Sequence, residues 1–391
     1  MKSQLPSLLI SIPKGIIDLG WGHPSPRLHP NEVLKTAAEQ VLSKDSTSLQ
    51  YGAVQGFGPL LESLSSFLAK DDSYNNCLVT PGHLFLTNGA SQAIDLASTL
   101  FAMNGDTVFV EDPTYYLISS IFRDHHMNII GVPTDHLGLN VDALETMLSD
   151  NSIENPKLLY TIPAFQNPTG AVMPSCRRKR LIELAQNYGF LILADEVYQL
   201  LYYGSPPPKP LAGFDTSESG CVLSIGSFSK ILAPGLRLGW IHAHPNLIER
   251  FKTAGMAISG GGLSHFSSTL VQETLSSGLL RDNIENLKDT YSTRIDAMAS
   301  SLLNYPGEFD YYRPDGGFFF WLTLKEEINT SDLIKYASKH GVLYRPGMEF
   351  SPSNSFTNSL RLSFTLYESC NLSEALKRLH ISIQTYRHLS S

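Results

Sequence analysis

The chain has 391 residues, 42% hydrophobic and 17% charged, an ordinary composition for a globular protein long enough to hold two or three domains. Its net charge of −8 argues against nucleic acid as the main partner, because neutralising phosphates needs clustered Lys and Arg. No run approaches the roughly 20 apolar residues of a membrane span, and four scattered cysteines, Cys77, Cys176, Cys221 and Cys370, share no metal-ligand spacing.

Unpaired thiols fit a reducing compartment, so a cytoplasmic location is expected, with organelle targeting left open. Met1 to Pro13 lacks the architecture of a signal peptide, and the five prolines between Pro6 and Pro30 read as an arm lying on the rest. From about residue 80 to 245, short apolar runs alternate with helical patterns, as in strand-helix units feeding a mostly parallel sheet. The runs are 84–86, 107–110, 158–161, 190–194, 222–225 and 238–242; the helices are 91–101, 115–125, 177–188 and 246–256. Arg177 to Arg180 opens one of these helices and reads as a solvated face.

A helical stretch over 267–303, with a break expected at Gly278, leads to a strand at 317–324, a helix at 331–339, a strand at 360–365 and a helix at 373–386. That second pattern reads as a smaller α+β domain. The expected division is an arm and part of the small domain over 1–45, a large domain over 46–285 and a small domain over 286–391.

The residue with the most to say is Lys230, in Ser224-Ile-Gly-Ser-Phe-Ser-Lys230-Ile-Leu-Ala-Pro-Gly-Leu-Arg237. A lysine ringed by small and hydroxyl residues, with an arginine seven positions on, suits a Schiff-base lysine beside a phosphate-binding cation. That points to pyridoxal phosphate. The other polar signals fall at strand ends, where loops of a parallel sheet converge on one crevice. Asp195 closes the run Phe190-Leu-Ile-Leu-Ala194; alone it also suits a helix cap, but beside such a lysine it would keep a pyridinium nitrogen protonated. Tyr198 could direct its hydroxyl at the cofactor. Asn167-Pro-Thr-Gly170 is a turn former that can also aim an amide. Gly89, Ala90 and Ser91 open a helix, where backbone N–H groups face an anion, and with Ser227, Ser229 and Arg237 they make a phosphate cup. Tyr115 is placed to stack on a flat ring.

These residues, in this order, resemble the class I and II aminotransferases of pyridoxal phosphate fold type I, from Gly20 to about Leu379. The resemblance implies an α/β fold with a mostly parallel central sheet flanked by helices, a smaller C-terminal domain, an N-terminal arm and a homodimer with shared active sites. It implies that Lys230 carries the cofactor and shuttles the substrate proton, and that Asp195 pairs with the pyridine nitrogen. Asn167 and Tyr198 would bond the phenolic oxygen, Ala90, Ser91, Ser227 and Arg237 the phosphate, with Tyr115 stacked on the ring. Tyr51, in Gln50-Tyr-Gly-Ala-Val-Gln-Gly-Phe-Gly58, would reach the neighbouring subunit's phosphate, and Arg361, with the backbone of Gly22, the substrate α-carboxylate.

The Gly-x-Pro stretch near the N-terminus, the Ala-Pro-Gly-Leu-Arg run and Ser259-Gly-Gly-Gly262 look most like the branch handling 2-aminoadipate, kynurenine and aromatic amino acids. Arg27 and Arg123 are candidates for a side-chain carboxylate, and Trp21, Tyr116 and Phe320 for an apolar pocket. The expected reaction is transfer from such an amino acid to a 2-oxo acid such as 2-oxoglutarate, by ping-pong kinetics. The alternative is a lyase on the same fold, either β-eliminating or aminocyclopropane carboxylate synthase-like. A regulator of the kind that joins this domain to a DNA-binding module is not expected, since about 20 residues precede Gly20.

Overall fold

The structure, a computed structural model, describes residues 8–150, 152–325 and 328–390. Met1–Ser7, with Pro6 of the arm, lies outside them. The described chain enters through β1 (Ile17–Asp18), which pairs in parallel with Val342 and Leu343 and so ties the start of the chain to its C-terminal third. Two helices that the sequence pattern did not announce follow, α1 (Asn31–Lys44) and α2 (Gly58–Leu68). Pro59 sits in the first turn of α2, where its missing N–H would have had no intrahelical partner.

The central sheet holds β2 (Leu84–Thr87), β3 (Thr107–Asp112), β4 (Asn128–Asp135), β5 (Gly138–Leu139), β6 (Leu158–Thr161), β7 (Leu191–Asp195), β8 (Val222–Ser227) and β9 (Gly239–Ala243). Its order is β2-β9-β8-β7-β6-β3-β4-β5. Neighbours from β8 across to β4 run parallel, while β9 is antiparallel to β2 and β8, and β5 to β4. The inner strands are buried on both faces, which is why their sequences are apolar on consecutive positions. Each fully buried Val, Leu or Ile there contributes about 1.5–3 kcal/mol. The strand β4 escaped the pattern because Gly131 and Pro133 interrupt it and it is half-exposed.

The expected break at Gly278 is present: it adopts φ +79° between helices His265–Ser276 and Leu279–Leu302. Beyond lie β10 (Phe309–Tyr311), β11 (Phe319–Leu324), β12 (Val342–Leu343), β13 (Arg345–Pro346) and β14 (Ser359–Ser363). An antiparallel sheet of order β10-β11-β14-β13, with helices Thr330–Lys339 and Ser369–Ser390, forms the smaller α+β unit. No described helix is long and apolar enough to cross a membrane.

Three expectations need correction. The helix expected from Tyr115 begins only at Ile118, and that expected over 246–256 ends at Lys252, with a separate short helix over Gly255–Gly260. Arg178 is not on a solvated face: it is fully buried. Its guanidinium donates to Glu196 Oε1 (3.2 Å), Lys209 O (3.0 Å), Met173 O (2.9 Å) and Pro163 O (2.7 Å), pinning the strand ends beneath the site. An Arg178→Met change strands the Glu196 carboxylate and should cost about 3–5 kcal/mol, read as a shift in denaturant midpoint. Replacing Glu196 with leucine as well should recover part of that loss; no recovery would mean the pair is not the source.

Candidate active site

The carboxyl ends of β2, β3, β6, β7 and β8 face one edge of the sheet, where the small domain closes over them around a cavity of about 220 Å³. Its walls bring together Gly22, Ala90, Ser91, Tyr115, Asn167, Asp195, Tyr198, Ser227, Ser229, Lys230, Arg237 and Arg361, which lie up to hundreds of residues apart in sequence.

Asp195 is buried at the end of β7. Its Oδ2 accepts a 2.7 Å bond from the Tyr160 hydroxyl, whereas Oδ1 is buried with no partner among the described residues. Burial raises its pKa, while the Tyr160 hydroxyl, a backbone N–H and the Lys230 charge oppose the rise. An unbonded carboxylate oxygen in a cavity is costly unless a donor arrives there.

Lys230 lies in the turn after β8, its Nζ donating to Gly22 O at 3.0 Å and lying 5.3 Å from the Phe318 ring centre. Burial lowers its pKa to about 8, the Asp195 charge works against that, and the charges of Arg361 and Arg237 add to it. A lysine so placed holds roughly a tenth of its amine neutral at pH 7, far more than an unperturbed lysine does.

Arg361, on β14, is buried and stacks over Phe319 at 4.0 Å and Phe350 at 4.8 Å. It donates to Asn167 Oδ1 (2.8 Å) and Gly20 O (2.6 Å), and its Nε is buried without a partner among the described residues. Burial brings its pKa down to about 10. Gly22 must be glycine, since a Cβ there would stand 2.4 Å from the Phe319 ring.

Ala90, Ser91, Ser227, Ser229 and Arg237, read in the sequence as a phosphate cup, line the same cavity. The start of α3 (Ala90–Phe101) faces the cavity, and Gly89, with φ +81°, turns the chain into it without lining the cavity itself. A Cβ on Gly89 would stand 2.9 Å from the Arg237 guanidinium, which bonds Asn88 O at 3.2 Å. Arg237 and Ser91 are exposed, so the cup is open to solvent on that side. Tyr51 does not line the cavity and is 87% exposed. It lies beside the bridge between Gly52 and Gly262; at Gly262 a Cβ would come 2.0 Å from Ala53 O. Gly261 and Gly262 thus serve close backbone approach to the Tyr51 segment.

Phe320 is buried away from the cavity, against Phe364 and Tyr311, because alternate strand residues face opposite ways; its neighbour Phe319 lines the cavity instead. Arg27 and Arg123 are exposed and outside the cavity. Trp21 and Tyr116 do line it.

Several residues of the site went unread in the sequence. Tyr160 lay inside an apolar strand and passed for core; a buried tyrosine needing a hydroxyl partner was the available signal. Glu111 is fully buried, accepting from Thr161 Oγ1 (2.5 Å), Gln166 Nε2 (2.9 Å) and Ile162 N (3.2 Å). Burial pushes its pKa up to about 7 against the pull of those bonds. Gln166 in turn accepts from Thr169 and so braces the turn carrying Asn167. His23, beside Lys230 and Arg361, is held neutral first by burial and then by their charges, with its pKa lowered to about 4.

The family described as aminotransferase class I and II matches residues 14–379. An aromatic-amino-acid aminotransferase of Thermococcus litoralis is 36% identical over 94% of this chain and 88% of its own length. A 2-aminoadipate transaminase of Thermus thermophilus is 32% identical over 93% and 89%. The crystal structure of a kynurenine aminotransferase of Pyrococcus horikoshii, in complex with PMP, superposes with a TM-score of 0.87 at 33% identity, covering 95% of this chain and 91% of that one.

Proposed function

Since the chain belongs to the class I and II aminotransferases, we propose that it moves the amino group of an aromatic, kynurenine-like or 2-aminoadipate donor to a 2-oxo acid such as 2-oxoglutarate, by a ping-pong mechanism with pyridoxal phosphate. One observation carries this reading: an amine, an unbonded buried carboxylate oxygen and a buried arginine with an unbonded Nε line the same cavity.

The residues fit the cofactor. Asp195 Oδ1 lacks a donor that a protonated ring nitrogen would supply, and α3 with Ser227, Ser229 and Arg237 offers donors to a phosphate. Once bound, pyridoxal phosphate supplies an electron sink for the charge left at the substrate Cα. Asp195 would keep the ring nitrogen charged, with Tyr160 holding the carboxylate in place. Asn167 and Tyr198, which line the cavity, would bond the ring oxygen, and Tyr115 would cover the ring face. Arg361 grips the α-carboxylate through the donors it has to spare, with the Gly22 backbone alongside, and so fixes the Cα–H bond. Lys230 Nζ moves the proton from Cα. The Trp21, Tyr116 and Phe319 surfaces suit an aromatic or long aliphatic side chain.

The test is a panel of amino donors against 2-oxoglutarate, scored for glutamate. Pyruvate with ammonia, formed in place of glutamate, would instead support the lyase.

The open cup and the exposed Tyr51, flanked by exposed Leu49, Ile258 and Phe266, support a homodimer in which a second copy closes each site. Hybrids of Tyr51→Phe and Lys230→Ala chains should then regain activity that the parent proteins lack, because one site per hybrid is native. Absence of restored activity would count against sharing. The unpaired cysteines support a cytoplasmic setting.

A further inference from the structure

Arg361 is not alone on its wall. The strand β13 pairs antiparallel with β14 so that Arg345 stands directly opposite Arg361, and residues directly opposite in such a pair share a face. The Arg345 guanidinium lies 4.6 Å from the Trp21 ring centre and 5.2 Å from that of Tyr116; Arg361 lies 5.8 Å from the same Tyr116 ring. Both rings line the cavity. The stem of Arg345 passes over Gly20, where a Cβ would stand 3.3 Å from its Cγ, so the glycine that gives its carbonyl to Arg361 also makes room for the second arginine.

Arg345 does not itself line the cavity; two aromatic rings that do line it hold its guanidinium at the rim. Its side chain is 25% exposed, and its ion partner, Glu349, lies at a long 3.4 Å with its own side chain 40% exposed. Such a pair contributes little, about 0–1 kcal/mol. The guanidinium therefore keeps most of its donor capacity, while standing near a like charge that is itself buried.

Two guanidinium groups side by side, one deep and one at the rim, match a ligand with two carboxylates separated by a short chain. We propose that Arg345 receives the distal carboxylate of a dicarboxylic 2-oxo acid or amino acid whose α-carboxylate rests on Arg361, with the Tyr116 ring between the two. This rests on the aminotransferase reading above. It makes Arg345 a specificity residue, with Trp21 and Tyr116 positioning it.

The test uses the holoenzyme with two acceptors of similar length, 2-oxoglutarate and 2-oxohexanoate, which differ in the distal carboxylate. In Arg345→Met, which keeps an unbranched stem between the rings, the ratio of kcat/KM for 2-oxoglutarate to that for 2-oxohexanoate should fall about 10- to 100-fold, as for loss of hydrogen bonds to a charged group. Arg345→Lys should fall between. Calorimetric affinity for glutarate should drop relative to pentanoate by a similar factor. An unchanged ratio, whether neither or both acceptors suffer, would overturn the assignment. Wild-type protein that forms no amino acid from any 2-oxo acid would overturn the aminotransferase reading instead.

Discussion

Lys230→Ala should lower transamination at least about 10³-fold, because in the proposed mechanism the variant loses both the covalent anchor of the cofactor and the group that moves the Cα proton. Positioned acid–base groups alone are worth about 10²- to 10⁴-fold. Lys230→Arg is the sharper control. It can still donate to the Gly22 carbonyl and keeps the positive charge facing Asp195, yet a guanidinium supplies no neutral amine, so it should be as inactive as alanine. Borohydride reduction followed by intact-mass measurement should link cofactor to wild-type protein and to neither variant. The same lysine sets a pH dependence. Its pKa is lowered to about 8 from 10.5, so the neutral amine dominates above about pH 8, and uptake of pyridoxal phosphate by cofactor-free protein should rise through that pH and level roughly one unit above it. A rise continuing towards pH 10 would mean the amine is not perturbed, and wild-type turnover in Lys230→Ala would remove it from the chemistry.

Arg361→Lys should reduce kcat/KM for every amino donor by about 10²- to 10³-fold. Breaking a buried hydrogen-bonded charge pair costs roughly 3–5 kcal/mol, and each 1.4 kcal/mol is a factor of ten. Lysine retains the charge but lacks the planar fork, and it also leaves Asn167 Oδ1 or Gly20 O without its present donor. Both kcat and KM should therefore change, since Asn167 shifts along with the lost grip on the carboxylate. A loss confined to one donor would mean that Arg361 reads a side chain and not the carboxylate all donors share.

The buried polar shell explains why these side chains can be held so closely. Asp195 is steadied by Tyr160, Asn167 by Arg361 and the Gln166 brace, and Gln166 by Glu111. Each is low in exposure, so each bond acts in a low-dielectric setting where an unmade partner is expensive.

Much of this was legible in the chain. Consecutive apolar positions at 158–161, 190–194 and 222–225 announced strands covered on both faces, and observed β6, β7 and β8 start or end within a residue or two of those limits. Gly278 announced the break between the two long helices because its φ is one that other residues resist. Failures came where local pattern and tertiary demand diverge. Arg178 looked like one of a row of surface charges, and only the Glu196 carboxylate, brought beneath it by β7, makes it a buried residue. Phe319 and Phe320 differ by one step along a strand, and a period of two could not say which of them faces the cavity without knowing which face of β11 the small domain turns inward.

The residue types and their order therefore determined the family chemistry by themselves: a lysine among small residues, an acid at a strand end, an asparagine in a rigid turn and an arginine on a late strand. Local sequence suffices there because each signal is short and its chemistry is set by residue type. What only the tertiary structure decided is what surrounds those groups: that Asp195 keeps one oxygen unbonded, that Tyr160 and Glu111 brace the site from behind its wall, and that Arg345 stands opposite Arg361. Those facts depend on strand register and on contacts across hundreds of residues, where the free energy of burial and pairing resides and no short stretch of sequence records it.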